Sequence, residues 1–488
     1  MIELSAAEIA EITTGRLVGI DDPQAVIASA ADTDSRAMEP GALFIAKPGE
    51  TTDGHLFIDA ALAAGAVLVL AERETTDPHG RTHPAVIVDD VVAAMGRLAA
   101  EIVRRIRAHS PTTVIGITGS AGKTTTKDLL KGILEEEGPT VAPQGSYNGE
   151  VGVPLTVFTA SLDTRHLVVE MGADGPGNIR YLAQMVRPDI GVVLMVGSAH
   201  AGKFGGADRI AEVKQELVEE VGPEGTVVLN DDDAQVRRMA DASSAPVTWF
   251  SSDSMDALPG AVTARDVRLD EEGHPHLTLA FGEEVHELAS GLTGVHHVTN
   301  ILAAAAAARA AGVAPASIAA RLEGRGPGSR WRMERTERPD GVTVINDAYN
   351  ANPESMREAL RTLAMITRPT GRRSVAVLGA MLELGEESII RHTQLGETVV
   401  RLNIDRTLVV GEEAYPLYRG AVAEGSWGSE VHWVATVEEA EAHLDQELSA
   451  GDVVLFKSSN SAGLRLLGDR IAAKGSADVD GGKAGGSW

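Results

Sequence analysis

A chain of 488 residues is too long for one ordinary core and calls for roughly two to four domains. Its 43% apolar and 23% charged residues are those of a soluble globular protein, and a net charge of −27 excludes a general binder of nucleic-acid backbones. The absence of cysteine excludes disulfides, thiolate nucleophiles, zinc–thiolate sites and iron–sulfur clusters.

The opening Met1-Ile2-Glu3-Leu4-Ser5 has neither the basic region nor the apolar core of a signal peptide. No uncharged apolar run reaches about 18 residues. A soluble cytoplasmic chain is expected, with no membrane insertion and no nucleic acid among its partners.

Three blocks follow in chain order. In the first, 1–109, residues 42–46 and 66–70 read as strands. Residues 91–107 read as a closing helix whose last turns carry Arg104, Arg105 and Arg107, where cations suit the helix dipole. The second, 110–325, opens at Ser110-Pro111 and runs into the β-branched stretch 112–117, a buried strand. Further strands are expected at 167–170, 190–196 and 227–229, with helices between them, which is the pattern of a parallel sheet. An alanine-rich packed helix around 303–311 and a turn-rich hinge at 324–328 end this block. The third, 326–473, repeats the alternation with strands at 342–345, 374–378, 406–410 and 452–456, and helices starting near Pro353, Glu387, Val437 and Ala462. The tail, 474–488, is rich in Gly, Asp and Ser and reads as disordered. The fold class is α/β in three domains: a small mixed N-terminal domain, a central P-loop domain with a mostly parallel sheet, and a C-terminal Rossmann-like domain.

The sharpest motif is Thr118-Gly119-Ser120-Ala121-Gly122-Lys123-Thr124-Thr125, between the first strand of the second block and a helix expected at 127–137. Small residues let backbone N–H groups wrap a phosphate, Lys123 reaches the outer phosphates, and a hydroxyl serves Mg²⁺. The spacing G-x-x-x-x-G-K-[ST] would put its first glycine at Ile117, whereas the glycines are Gly116 and Gly119. The loop is therefore of a different make from that of kinases and GTPases. Glu170 ends a buried strand, and His200 follows the next strand through Gly197-Ser198-Ala199, so both fall at the sheet edge where a metal ligand would sit. Lys214, flanked by Glu212 and Glu216, reads from spacing alone as an exposed helix lysine paired with those acids. Asp347-Ala348-Tyr349-Asn350-Ala351-Asn352-Pro353 follows a strand and suits both a helix cap and contacts to ribose or substrate.

Taken together, these residues resemble the Mur ligases, the ATP-dependent amide-bond-forming enzymes of peptidoglycan precursor synthesis. The loop is similar to the family's TGxxGKT signature, and the stretch from Asp347 to Pro353 to the D-x-Y-N-A-N-P segment of the member that adds D-Ala-D-Ala. Asp34-Ser35-Arg36, Glu170-Met171-Gly172-Ala173, Ser198-Ala199-His200, Ser329-Arg330-Trp331-Arg332-Met333-Glu334 and the stretch from Leu378 to Gly385 carry the likeness across nearly the whole chain. The resemblance implies a cytoplasmic, monomeric ligase. It would join D-Ala-D-Ala to UDP-MurNAc-tripeptide through an acyl phosphate, using ATP and a pair of Mg²⁺ ions.

The resemblance also implies roles. Gly119, Ser120, Ala121, Gly122, Lys123, Thr124 and Thr125 would hold the ATP phosphates, and Asn300, Arg332 and Asp347 the rest of the nucleotide. Thr124, Glu170, His200 and Lys214 would serve the metal ions, Lys214 as a carbamate formed with CO₂. Ser35 and Arg36 lie where the uridine nucleotide docks, and Asn148, Tyr349, Asn350 and Asn352 would contact substrate. Four places depart from the family pattern: His297 and Gly149 stand where asparagine is frequent, Ala380 where an acid is, and Lys457-Ser458-Ser459-Asn460 where K-G-S-R is common. The alternatives are another amino-acid ligase of the family, a P-loop phosphotransferase, or a nucleotide-binding scaffold. The shifted glycines and the second α/β domain oppose the phosphotransferase. Lys123, Glu170, His200 and Lys214, all present, oppose the scaffold.

Overall fold

Residues 1–49, 52–197, 207–253, 255–425 and 430–474 are described by a computed structural model, and they build three large sheets in chain order. Residues 475–488, most of the tail expected to be disordered, lie outside the described residues, as does His200.

The first sheet has five strands, ordered Arg16–Val18, Ala85–Ile87, Ala66–Ala71, Ala42–Ile45 and Ala30–Asp32, parallel except at its Arg16–Val18 edge. Helix Val91–His109 leaves it, capped by Asp90, whose carboxylate accepts from Ala93 N at 2.9 Å. Val91, Met95, Leu98, Ile102 and Ile106 recur at helical spacing and are buried. They share one core with Val114, Leu167 and Val169 of the central sheet, so this helix joins the first two units. Full burial of each such side chain stabilises by about 1.5–3 kcal/mol.

The central sheet has nine strands. Seven run parallel, in the order Val262–Leu269, Val247–Ser251, Thr226–Asn230, Ile190–Val193, Thr113–Thr118, His166–Glu170 and Thr140–Val141. Pro275–Phe281 and Glu284–Ala289 then add an antiparallel meander. The alanine-rich helix, His297–Ala310, packs between the sheet and helix Lys123–Leu134. Residues 303–308 are all alanine and fully buried there, as an element apolar on every side requires.

The third sheet has six strands, ordered Glu334–Glu337, Thr343–Asn346, Val453–Lys457, Ser374–Leu378, Arg406–Val410 and Val431–Val434, parallel except at the first. Separate apolar cores cover its two faces, as in a doubly wound sheet.

Two of the boundaries that differ from expectation shape the site. The helix after the phosphate loop begins at Lys123, not Lys127, because Gly122 turns the chain at φ 86° directly into it. The strand expected at 190–196 ends at Val193. Beyond it the backbone bonds to other partners: Val196 N donates to Asp233 and Gly197 N to Ser120 Oγ. No helix among the described residues is long and apolar enough to cross a membrane.

Candidate active site

Register brings the central site together. Glu170 pairs with Ile117 and Val193 with Thr118, so the phosphate loop, Glu170 and the chain after Val193 leave the sheet at one edge. The loop is tied to that edge: Ser120 N donates to Met195 O at 3.0 Å, and Ser120 Oγ accepts from Gly197 N at 2.9 Å. A Cβ on Gly122 would stand 2.3 Å from the Asn300 amide oxygen, so only glycine fits there. Lys123 folds back over its own loop, donating to Gly119 O at 2.7 Å. Burial lowers the pKa of its amine, the Arg332 charge adds to this, and Glu170 opposes it.

Glu170 is fully buried, and neither carboxylate oxygen has a hydrogen-bond partner at good geometry. Burial raises its pKa, against the pull of Lys123, Lys127, Arg332 and the Thr124 hydroxyl. A buried carboxylate left without partners is costly, and such groups mark functional sites. Thr124 Oγ1 lies 2.7 Å from Ser146 Oγ. An orphaned carboxylate beside a hydroxyl suits Mg²⁺, which takes few protein oxygens and completes its shell with phosphate and water. No group of three or more His, Asp or Glu converges among the described residues.

Lys214 corrects the reading from spacing. It is buried in helix Ala207–Glu220 and makes no hydrogen bond or ion pair with another described residue. Glu216 is two residues away, a spacing that does not bring side chains together on a helix. It caps the neighbouring helix Asn178–Val186 instead, accepting from Gly177 N at 2.7 Å and Arg180 N at 2.9 Å. Burial, with Lys123 nearby, lowers the Lys214 amine to about 7.

The third domain supplies the opposite wall. Arg332 Nη2 donates to Ser146 Oγ at 2.9 Å and to Thr124 Oγ1 at 3.2 Å, and its guanidinium carbon lies 4.3 Å from the Tyr349 ring centre. Asn352 caps helix Pro353–Thr370 and donates to Ser120 O at 3.3 Å. Asp347 directly follows strand Thr343–Asn346, Lys457 ends the adjacent strand, and the two side chains meet at 2.5 Å; Lys457 also donates to Asn350 O at 3.2 Å.

Between these walls lies a cleft of about 890 Å³. Ser120 to Thr125, Asn148, Glu170, Asn300, Arg332, Asp347, Tyr349, Asn350 and Asn352 all line it. Gly119 and Lys214 are not in its lining, and His200 lies outside the described residues. Ser35 and Arg36 sit on a short turn of the first domain, where Arg36 is exposed and paired with Asp34 at 2.8 Å. The sequence reading missed Ser146, His296, Asn230 and Asp232 in the lining. None of them stands in a motif. His297 and Lys457, singled out only as departures, line it as well.

Three family models match the chain: Mur ligase family, catalytic domain, over 30–117; Mur ligase middle domain, over 117–308; and Mur ligase, glutamate ligase domain, over 331–460. The chain belongs to the Mur ligase family. Among Mur ligases it is 43% identical to the UDP-N-acetylmuramoyl-tripeptide–D-alanyl-D-alanine ligase of Mycobacterium tuberculosis, over 97% of this chain and 98% of that one. The structure of MurF from Acinetobacter baumannii superposes with a TM-score of 0.83 at 28% identity, covering 97% of this chain and 99% of that one. A second Mur ligase, MurF from Thermotoga maritima in complex with ADP, gives a TM-score of 0.74 at 27% identity over 92% and 99% of the two chains.

Proposed function

We propose that the cleft joins D-Ala-D-Ala to the terminal carboxylate of UDP-MurNAc-tripeptide, with ATP giving ADP and phosphate and the product being UDP-MurNAc-pentapeptide. The observation that carries this reading is the convergence of the phosphate loop, the orphaned Glu170 and the third-domain residues Arg332 and Asn352 on one cleft.

The tripeptide carboxylate attacks the γ-phosphorus of ATP, the bond to the β-phosphate oxygen breaks, and ADP leaves. The acyl phosphate then meets the amine of D-Ala-D-Ala. The new C–N bond forms, the amine loses its proton, and phosphate departs. Several anions gather in an acidic protein, so local cations are needed. Lys123 and Arg332 provide them, Lys123 on the loop side and Arg332 from the third domain. Because the wall is built from two domains, closure about 324–328 can exclude water from the acyl phosphate. Mg²⁺ ions, held by Thr124, Glu170, His200 and the Lys214 carbamate, would neutralise phosphate charge. Lys214 suits that modification: a buried amine near 7 is partly neutral at neutral pH, and the neutral nitrogen adds to the carbon of CO₂ and releases a proton.

The division of labour follows. Residues 1–109 bind the UDP moiety around Ser35 and Arg36, 110–325 bind ATP, and 326–473 bring Asp347, Tyr349, Asn350 and Asn352 to substrate. The enzyme works as a monomer in the cytoplasm. The test is ADP release with UDP-MurNAc-tripeptide, MgATP and D-Ala-D-Ala, omitting each in turn, with product mass recorded. Turnover only with all three, and a gain of one D-Ala-D-Ala less water, is expected. ADP release without the dipeptide and without an amide product would overturn it in favour of a phosphotransferase or ATPase.

A further inference from the structure

We propose that Lys127 is a positioning residue: its buried ammonium tethers the loop 142–148 to the phosphate-loop helix and so keeps Ser146 and Asn148 in the wall of the cleft during ligation. The proposal rests on the ligase reading. Lys127 is 1% exposed and does not line the cleft. Its Nζ donates to Pro143 O at 2.8 Å and meets Asp128 Oδ1 at 2.6 Å, so the buried charge is compensated while it holds a main-chain carbonyl.

The loop needs such a tether. Among the described residues, 142–147 make no backbone–backbone hydrogen bond, whereas Asn148 O accepts from Gly172 N at 2.8 Å. Side chains must therefore place the stretch between strand Thr140–Val141 and Asn148. Thr124 and Lys127 stand three apart on helix Lys123–Leu134 and so share a face. Thr124 meets Ser146 and Lys127 meets Pro143, again three apart, which lays the loop along that face. A Cβ on Gly145 would lie 3.8 Å from the Tyr349 hydroxyl, and Ser146 accepts from Arg332, so the loop also meets the third domain.

The contacts that hold the loop differ in what becomes of them when the site fills. On the ligase reading the Thr124 hydroxyl serves Mg²⁺ and Arg332 moves with the third domain, so neither holds Ser146 throughout. Lys127 lies outside the cleft lining, so ligand binding leaves its bond to Pro143 intact. Its charge also acts on Glu170, so a fall in rate alone would not isolate the tether.

The chain has no cysteine, so a nitroxide on Gln144→Cys, an exposed loop position, reports on the loop alone. Its spectrum should be restricted in the otherwise native chain and stay so with MgADP. Lys127→Met should make it mobile with and without MgADP. In the unlabelled chain, Lys127→Met should lower kcat about tenfold while the KM for ATP changes by less than about twofold, since the phosphate loop is untouched. Ser146→Ala should cost about tenfold in the native background and almost nothing after Lys127→Met, because a displaced loop has already withdrawn the hydroxyl. If the Met variant does not fold, Lys127→Gln, uncharged and one bond shorter, takes its place. An unchanged spectrum in the Lys127 variant, or Ser146 and Lys127 losses that multiply, would overturn the proposal. A restricted native label freed by Lys127→Met, in a chain that makes no pentapeptide, would instead refute the ligase reading and leave the tether standing.

Discussion

Arg332 of the third domain donates to the hydroxyl of Thr124 in the phosphate loop at 3.2 Å, across the cleft that separates the two domains. The residues on either side of it are in the left-handed region, Trp331 at φ 58° and Met333 at φ 53°. Such backbone costs on the order of 1–3 kcal/mol per residue and persists only where the surroundings hold it. Here they do: Trp331 Nε1 donates to Asp469 at 3.0 Å, and Met333 N to Asp347 at 3.1 Å. The strain projects the guanidinium over the Tyr349 ring toward Thr124 and Ser146.

Arg332→Lys should therefore behave as a severe change. A lysine has one point charge where arginine has a planar fork that both donates and stacks. A charged hydrogen bond is worth about 1.5–3 kcal/mol, so kcat/KM should fall by roughly ten- to hundredfold. Steady-state kinetics would measure this. Solution scattering with an ATP analogue and substrate should also show a smaller closed population than for the native chain.

Glu170→Gln should separate stability from activity. The native carboxylate is fully buried, neither oxygen is held at good hydrogen-bond geometry, and its pKa is raised by that burial. Replacing it by a neutral amide relieves the cost of the charge, so thermal stability without Mg²⁺ should be unchanged or higher. Activity should fall at least about a hundredfold, the scale seen when a preorganised electrostatic contact is removed. A melting temperature several degrees lower than the native one would show that Glu170 is a structural group.

What the sequence reveals depends on how local the signal is. Strands Thr113–Thr118, His166–Glu170 and Val453–Lys457 are buried on both faces, so their apolar runs are continuous and easily read. The meander Val262–Ala289 escapes the same search. Residues 265–268 are exposed, and the ladder shifts register between Arg265 and Arg268. The phosphate loop is legible because its parts are consecutive. Ser146 and Lys457 are not, since each is a single residue brought in by the fold, Lys457 by its pairing with Leu378 beside the Asp347 strand. Glu216 misleads for a related reason: its partner is the start of another helix, which no spacing within its own helix reveals.

Lys214 should require CO₂. It is buried without a partner among the described residues, and its amine is lowered to about 7, so it can react as the free base. Protein prepared free of bicarbonate should lose activity and regain it when bicarbonate returns. With ¹³C-bicarbonate, a carbamate resonance should appear in the native chain and be absent from Lys214→Arg, whose guanidinium stays charged. Full activity of the arginine variant would refute the role.

His392 should make stability depend on mild acid. It is completely buried at the start of helix Ser388–Arg401. Nδ1 donates to Ser388 O at 2.7 Å, and Nε2 accepts from Met381 N at 2.9 Å, which pins the loop after strand Ser374–Leu378. Burial lowers its pKa below that of a free histidine. The unfolded chain, titrating near about 6.5, therefore takes up a proton before the folded one does. The stability it contributes is complete above that value and is lost as pH falls through the lower, folded value. Protonation would put a hydrogen on Nε2, facing the Met381 N–H. His392→Gln can keep both bonds but cannot titrate. Its melting temperature should fall less between pH 7 and pH 5 than that of the native chain, even if it starts lower. Other buried histidines titrate in both proteins, so the difference between the two curves isolates His392. Parallel curves would show that its protonation does not limit folding.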